Sequence, residues 1–125
     1  MTFSWADYLI VARHLTEHST ASGYAEGCLR SAISRAYYAA LNTTRSLLRD
    51  QWGIEVPETV EIHRFVPHWF MDEEDPDQQE IGILLDRLRD RRRKADYTDE
   101  ITTVSSLAAR SLVDAQIVID RVLTL

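Results

Sequence analysis

The chain has 125 residues, of which 45% are apolar and 27% charged, and its formal net charge is -6. This length and balance predict a single globular domain over residues 1–125. The negative charge argues against a broad electrostatic grip on nucleic acid. No apolar run approaches the roughly 18 residues of a membrane span, and no secretory signal follows Met1. We therefore expect a cytoplasmic protein without a membrane segment.

Positive charge is concentrated in one stretch. Six basic residues fall within the eight positions from Arg87 to Lys94, offset only by Asp90. Of the 14 basic residues in the chain, 13 are arginine, whose planar fork suits contacts with phosphate and carboxylate groups. The sequence is therefore compatible with a local anion site on an acidic protein.

The first predicted helix runs from about Trp5 to His18. Ser4 and Asp7 have the spacing of a capping box at its start, with an acid in place of the usual Glu or Gln. His14 and His18 have the i, i+4 spacing of some zinc sites, but no third ligand accompanies them. We interpret them as a solvated helix end and expect no metal site.

The second predicted helix, Tyr24 to Arg49, contains no proline and has an apolar face wider than half its circumference. Such a helix should be central and touch several neighbours, and Gly53 is its expected C-terminal stop. Cys28 lies on the apolar face, which favours a buried thiol over a disulfide or metal ligand. The remaining polar seam consists of Ser31, Ser34, Arg35, Tyr38, Asn42, Arg45 and Arg49.

Three further helices complete the predicted fold. The third spans roughly Glu58 to Met71, with Pro67 expected to kink or split it. Asp75 is the expected N-cap of the fourth and Pro76 its first residue. After a joint at residues 95–100, the last helix runs from about Ile101 to Leu123. Five helices with short connections predict an all-α, antiparallel bundle.

One arginine of the fourth helix is placed differently from its neighbours. Arg92 lies four residues after Leu88 and therefore points toward the apolar side, with Arg89 at its margin. A guanidinium there needs a partner or a cleft, so either an ion pair with Asp96 or a phosphate contact would explain it. Arg87, Arg91 and Lys94 lie on the opposite side of this helix and are expected on a solvated face.

Three segments, SAISRAYYAALNTTRSLL, HRFVPHWF and LLDRLRDRRRKADY, together resemble the small stand-alone bacterial HEPN proteins. That family shows an S-x-R-A-Y-Y-A helix, an H-x-x-V-x-x-x-F segment, L-R-x-x-R-x-x-A-D-Y and a final helix. The resemblance covers most of the chain in the same order. The matching positions are Arg35, Ala36, Tyr37, Tyr38, Ala39, His63, Val66, Phe70, Arg89, Arg92, Ala95, Asp96 and Tyr97.

The resemblance implies a HEPN-like bundle that forms a homodimer with a cleft between protomers and needs no cofactor. It also implies action on RNA or a nucleotide in toxin–antitoxin or antiviral systems, often beside a nucleotidyltransferase, and metal-independent ribonuclease activity. The usual catalytic signature of the family is Arg-x4–6-His. Here no histidine follows His68, so Arg92 precedes Tyr97 in an Arg-x4-Tyr arrangement, and His63 is the histidine that could replace the absent one.

On this basis the expected catalytic residues are Arg92, Tyr97 and His63. Arg92 would bind phosphate, Asp96 would orient a guanidinium and Tyr97 would bond or stack. The expected phosphate or RNA contacts are Arg89, Arg92, Asp96, Arg35 and Tyr38. For Arg35 and Tyr38 the sequence favours an exposed or subunit-facing seam over a phosphate contact, and Tyr37 is interpreted as core packing.

Two other functions are compatible with the sequence. In the first, a non-catalytic helical module uses its arginine cluster to bind a partner protein, such as a cognate antitoxin or nucleotidyltransferase, or a nucleotide. The acidic remainder of the chain and the absent histidine favour this module. In the second, the chain is a structural bundle whose arginines are solvated.

Overall fold

The computed structural model describes residues 2–125, which form five α-helices. These are α1 (Asp7–Glu17), α2 (Ala25–Ser46), α3 (Ile62–Met71), α4 (Pro76–Tyr97) and α5 (Val104–Leu123). Between residues 2 and 125 there is no β-strand, and the predicted all-α bundle is confirmed. No helix in this part of the chain is long and apolar enough to cross a membrane.

The central position predicted for the second helix is confirmed. α2 packs against α1, α4 and α5, while α3 packs mainly against α4. Small side chains on α2 allow this close approach, because Ala36, Ala39 and Ala40 are completely buried. Cys28 differs from expectation, because its side chain is only half-buried near the start of the helix, 3.7 Å from the Ser22 hydroxyl.

Two helix boundaries follow the local chemistry of the sequence. The Asp75 carboxylate accepts a hydrogen bond of 3.0 Å from the Asp77 N–H, and Pro76 occupies the first position of α4. α2 continues into a π-helical turn over Leu47–Gln51. The chain then leaves the helix at Gly53, whose φ of 65° is favourable only for glycine.

Three helices begin later than predicted. No side chain caps α1. Instead, backbone carbonyls one turn earlier accept its first N–H groups, beginning with a 3.0 Å bond from Asp7 N–H to the Ser4 carbonyl. The predicted capping box is therefore wrong. The β-branched residues before Val104 disfavour the helical conformation, which explains the late start of α5.

The start of α3 explains the position of His63. The N–H groups of Ile62 and His63 bond to carbonyls three residues earlier, so a tight turn replaces the predicted first helical turn. α3 then continues through Pro67 without splitting. Only the hydrogen bond to the His63 carbonyl is given up, because proline has no N–H.

Candidate functional site

The guanidinium of Arg92 lies inside the bundle, as its position after Leu88 predicted. Arg92 is 9% exposed. Its guanidinium carbon, Cζ, lies 5.4 Å from the ring centre of Tyr37 and 5.7 Å from that of Tyr38. These contacts join α4 to α2. A cation beside aromatic rings is attracted by their quadrupole, most strongly where water is excluded.

Arg92 nevertheless lacks hydrogen-bond acceptors. Its buried Nε has no partner among residues 2–125. The nearest Asp96 oxygen is 3.7 Å from its Nη1, which is an ion pair but too long for a hydrogen bond. Asp96 is also 3.5 Å from the Ser34 hydroxyl that donates to it. An unpaired buried donor is costly, so the site has unused capacity for an acceptor-rich group.

Tyr37 connects this guanidinium to a histidine. Its ring is completely buried, which confirms the expected core packing, but its hydroxyl also forms a short hydrogen bond with Nδ1 of His63. The two rings are nearly parallel, at 21°, with centres 5.6 Å apart. Burial raises the pKa of the Tyr37 phenol above its usual value, against the opposing effects of Arg92 and Arg89. The phenol is therefore neutral and serves as a hydrogen-bonding group.

His63 is half-buried, and its electrostatic surroundings keep it neutral. Desolvation lowers the pKa of the imidazole, and the charges of Arg92 and Arg89 lower it further. Its Nε2 has no hydrogen-bond partner in the described chain, whereas Nδ1 is held by Tyr37. A neutral imidazole with one fixed and one free nitrogen can exchange a proton with a ligand at the free nitrogen.

The other predicted phosphate contacts surround this group. Arg89 is half-buried, and its Nε has no acceptor in the range the structure covers. The guanidinium of Arg35 lies 4.7 Å from the ring centre of Tyr8 and 5.3 Å from that of Tyr38. Tyr38 therefore contacts both Arg35 and Arg92. We call this group of side chains the arginine–tyrosine–histidine cluster: Arg92, Tyr37, Tyr38, His63 and Arg89.

Tyr97 lies outside the cluster. It is the last residue of α4, and 77% of it is exposed. Its side chain makes no hydrogen bond or ring contact with any described residue. The catalytic role that the family resemblance implies for Tyr97 stays a prediction. His63, the histidine that could replace the absent one of the family signature, contacts Tyr37, which in turn contacts Arg92.

Two further expectations concern groups away from the cluster. His14 and His18 are exposed, with ring centres 4.1 Å apart. In residues 2–125 no group of three or more potential ligands is arranged to hold a metal ion.

The solvated face predicted for α4 is wrong at Arg91, which forms a 2.7 Å ion pair with Asp114 of α5. Arg91 therefore fastens α4 to α5.

The sequence did not reveal the partner of the Tyr37 hydroxyl. Tyr37 and His63 are 26 positions apart, and the periodicity of α2 reports only that Tyr37 faces inward. The signal that could have found the contact is chemical, because a buried phenol usually finds a hydrogen-bond partner.

Comparison with protein-family models, curated proteins and solved structures found no match.

Proposed function

We propose that this chain is a HEPN-type RNA-acting protein that binds an RNA phosphate at the arginine–tyrosine–histidine cluster and cleaves the strand without a metal ion. The observation that carries the proposal is the neutral imidazole of His63, fixed by Tyr37 beside a buried guanidinium without acceptors. The family resemblance of the three motifs supports the same function.

The chemistry assigns one role to each group. His63 takes the proton of the ribose 2′-hydroxyl at Nε2, and the oxygen attacks the neighbouring phosphorus. Arg92 and Arg89 stabilise the negative charge that develops on the phosphoryl oxygens. The bond to the 5′-oxygen breaks, this oxygen takes a proton from water, and His63 later releases its own proton to solvent. The products are a 2′,3′-cyclic phosphate and a 5′-hydroxyl end.

Tyr37 positions the imidazole for this reaction. When Nε2 accepts the substrate proton, Nδ1 carries the other ring proton and donates it to the phenol oxygen. The raised pKa of Tyr37 suits this role, because the phenol remains a neutral partner throughout.

We further propose that two copies form a cytoplasmic homodimer with the clusters facing one cleft.

A cleavage assay tests the proposed function. Labelled single-stranded RNA is incubated with purified protein in EDTA, and the matched pairs Arg92→Gln with Arg93→Gln and His63→Ala with His68→Ala are compared. Arg93 and His68 are exposed neighbours on the same helices. We expect about a 100-fold loss of rate for Arg92→Gln and for His63→Ala and wild-type rates for both controls. Replacing the ribose at the cleaved position by deoxyribose should stop the reaction.

Other results of the assay separate the alternatives. Retention of RNA without cleavage, lost in Arg92→Gln, would make the protein a binder. Cleavage that survives in both Arg92→Gln and His63→Ala would place the chemistry elsewhere. A wild-type protein that neither cleaves nor retains RNA would contradict the proposal. Sedimentation of the same samples measures whether a homodimer forms.

A second candidate function is favoured by a different surface. A cavity of about 630 Å³ on the α4–α5 side is lined by Arg87, Arg91 and Arg110, with Asp114 and Val113. Arg87 and Arg91 lie on α4 and Arg110 lies on α5, so the cavity is formed by both helices. An acidic segment of a partner protein, such as an antitoxin or nucleotidyltransferase, would complement this surface. Pull-down that is lost in Arg87→Glu but retained in Arg92→Gln would support this candidate.

A further inference from the structure

A second cavity opens directly beside the cluster. It has a volume of about 330 Å³ and lies between α2 and the segment that precedes α3. Tyr38 and His63 line it together with Arg45, Arg49, Glu58 and five further residues, most of them apolar. Because Tyr38 and His63 belong to both places, a strand bound at the cluster has a continuous path into the cavity.

Arg45 is the arginine of this cavity whose guanidinium has an N–H donor without an acceptor in residues 2–125. Its buried Nε has no acceptor among the residues described, and its guanidinium carbon lies 5.3 Å from the ring centre of Trp5. Burial lowers the pKa of Arg45, and repulsion from Arg49 adds to this effect. Arg49, in contrast, is already bound to Asp50 at 2.8 Å. A ligand anion in the cavity would therefore bond first to Arg45.

The spacing along α2 separates this anion from the one at the cluster. Arg45 follows Tyr38 by seven residues, which is two helical turns or about 10 Å. Arg92 contacts Tyr38 from α4, so the two arginines meet the path of the strand at different points along α2. The two guanidinium groups therefore suit two phosphates of the same ligand.

Glu58 distinguishes a nucleotide from a simple anion. Its carboxylate lines the same cavity and repels a free phosphate ion, but it accepts hydrogen bonds from hydroxyl and amino groups. The sugar and base of a nucleotide supply such donors next to the phosphate. At about 330 Å³, the cavity is at the small end of the about 300–1,000 Å³ range of ligand pockets. This volume suits one unpaired nucleotide.

We infer that this cavity binds the nucleotide next to the cleaved phosphate, with Arg45 on the outer phosphate and Glu58 on the sugar or base. The inference rests on the proposed function and specifies its substrate as single-stranded RNA, because a base-paired nucleotide cannot enter the cavity. It adds Arg45 and Glu58, which are not among the positions that match the family motifs, as specificity-determining residues.

Binding measurements on probes of two lengths test the inference. One probe is a labelled 2′-fluoro octanucleotide, which lacks the attacking hydroxyl, and the other is a dinucleoside monophosphate with a single phosphate. Arg45→Met keeps an unbranched apolar side chain beside Trp5 and removes the charge. We expect it to weaken octanucleotide binding about tenfold and to reduce the salt slope of binding by about one. Binding of the dinucleoside monophosphate should not change.

Arg49→Gln and Arg93→Gln complete the set of variants. The side chain of Arg49 is 44% exposed, so its replacement leaves the core intact and keeps the test valid if Arg45→Met folds poorly. We expect Arg49→Gln to weaken the octanucleotide about twofold to fivefold and Arg93→Gln to leave both probes unaffected. Full octanucleotide affinity in Arg45→Met and Arg49→Gln, with loss in Arg92→Gln, would overturn the cavity site alone. No binding of either probe by the wild type would overturn the proposed function as well.

Discussion

Arg92 and His63 influence each other through their charges. The guanidinium contributes to the lowered pKa of the imidazole, and it lacks an acceptor of its own. A bound phosphate would satisfy the guanidinium and offset its repulsion of a proton on His63. Phosphate binding would therefore prepare the imidazole to accept a proton, which links the two roles assigned to the cluster.

The lowered pKa of His63 also predicts a pH dependence of stability. Below about pH 6.5, the usual pKa of histidine, the unfolded chain binds a proton at His63 more readily than the folded chain does. The free energy of unfolding should therefore fall as the pH decreases from about 6.5 toward the lower pKa of the folded state. Urea unfolding at pH 7.5 and 5.5 measures this change.

His63→Gln should show a smaller loss of stability between these pH values than the wild type. His68→Gln is the matched control, because His68 lies on the same helix and is exposed, and it should behave like the wild type. An equal loss of stability in all three proteins would contradict the electrostatic account of His63.

At the scale of the helices, the contact between α3 and α4 depends on a glycine. A Cβ atom at Gly82 would collide with the Pro67 carbonyl oxygen and would come within 2.9 Å of the backbone nitrogen of Met71. The missing side chain lets α3 lie close against α4. This contact helps to position His63 near the start of α3 relative to Arg92 on α4.

Gly82→Ala should therefore destabilise the protein by about 1–3 kcal/mol, because overpacking outweighs the better helix propensity of alanine. Gly27→Ala on α2 is the control. A Cβ there meets no atom within 4 Å, so the gain in propensity should stabilise the protein by up to about 1 kcal/mol. Urea denaturation of both variants gives the free energies of unfolding. A stabilised Gly82→Ala protein would contradict the proposed close packing.

The helices and most of their ends could be predicted because local chemistry determines them. Residues close together in the sequence produce each of these signals: the wide apolar face of α2, the cap at Asp75 and the stop at Gly53. The boundary errors at α1 and α3 arose where backbone carbonyls in tight turns replaced side-chain caps. Arg92 could be predicted to face inward from the spacing of leucines. Its contacts with two tyrosine rings and the bond from Tyr37 to His63 join separate elements, and periodicity within one helix carries no information on them.

The whole molecule carries a net charge of -6, whereas the arginines of the proposed site are buried or half-buried. The acidic surface repels nucleic acid at long range, so affinity must come from short contacts inside the cluster and the neighbouring cavity. Binding should then depend on the shape and length of the strand more than on general charge. The proposed action on single-stranded RNA requires selectivity of this kind.

The central claim is that a phosphate binds beside His63 and Arg92, and an NMR pH titration of the histidine ring protons tests it most directly. In the free protein, His63 should titrate below the usual range of histidine, and the 2′-fluoro octanucleotide should raise its pKa. In Arg92→Gln, the free protein should already show a higher pKa at His63, and the oligonucleotide should have little further effect. A His63 pKa within the usual range of histidine that the oligonucleotide does not change would contradict the account.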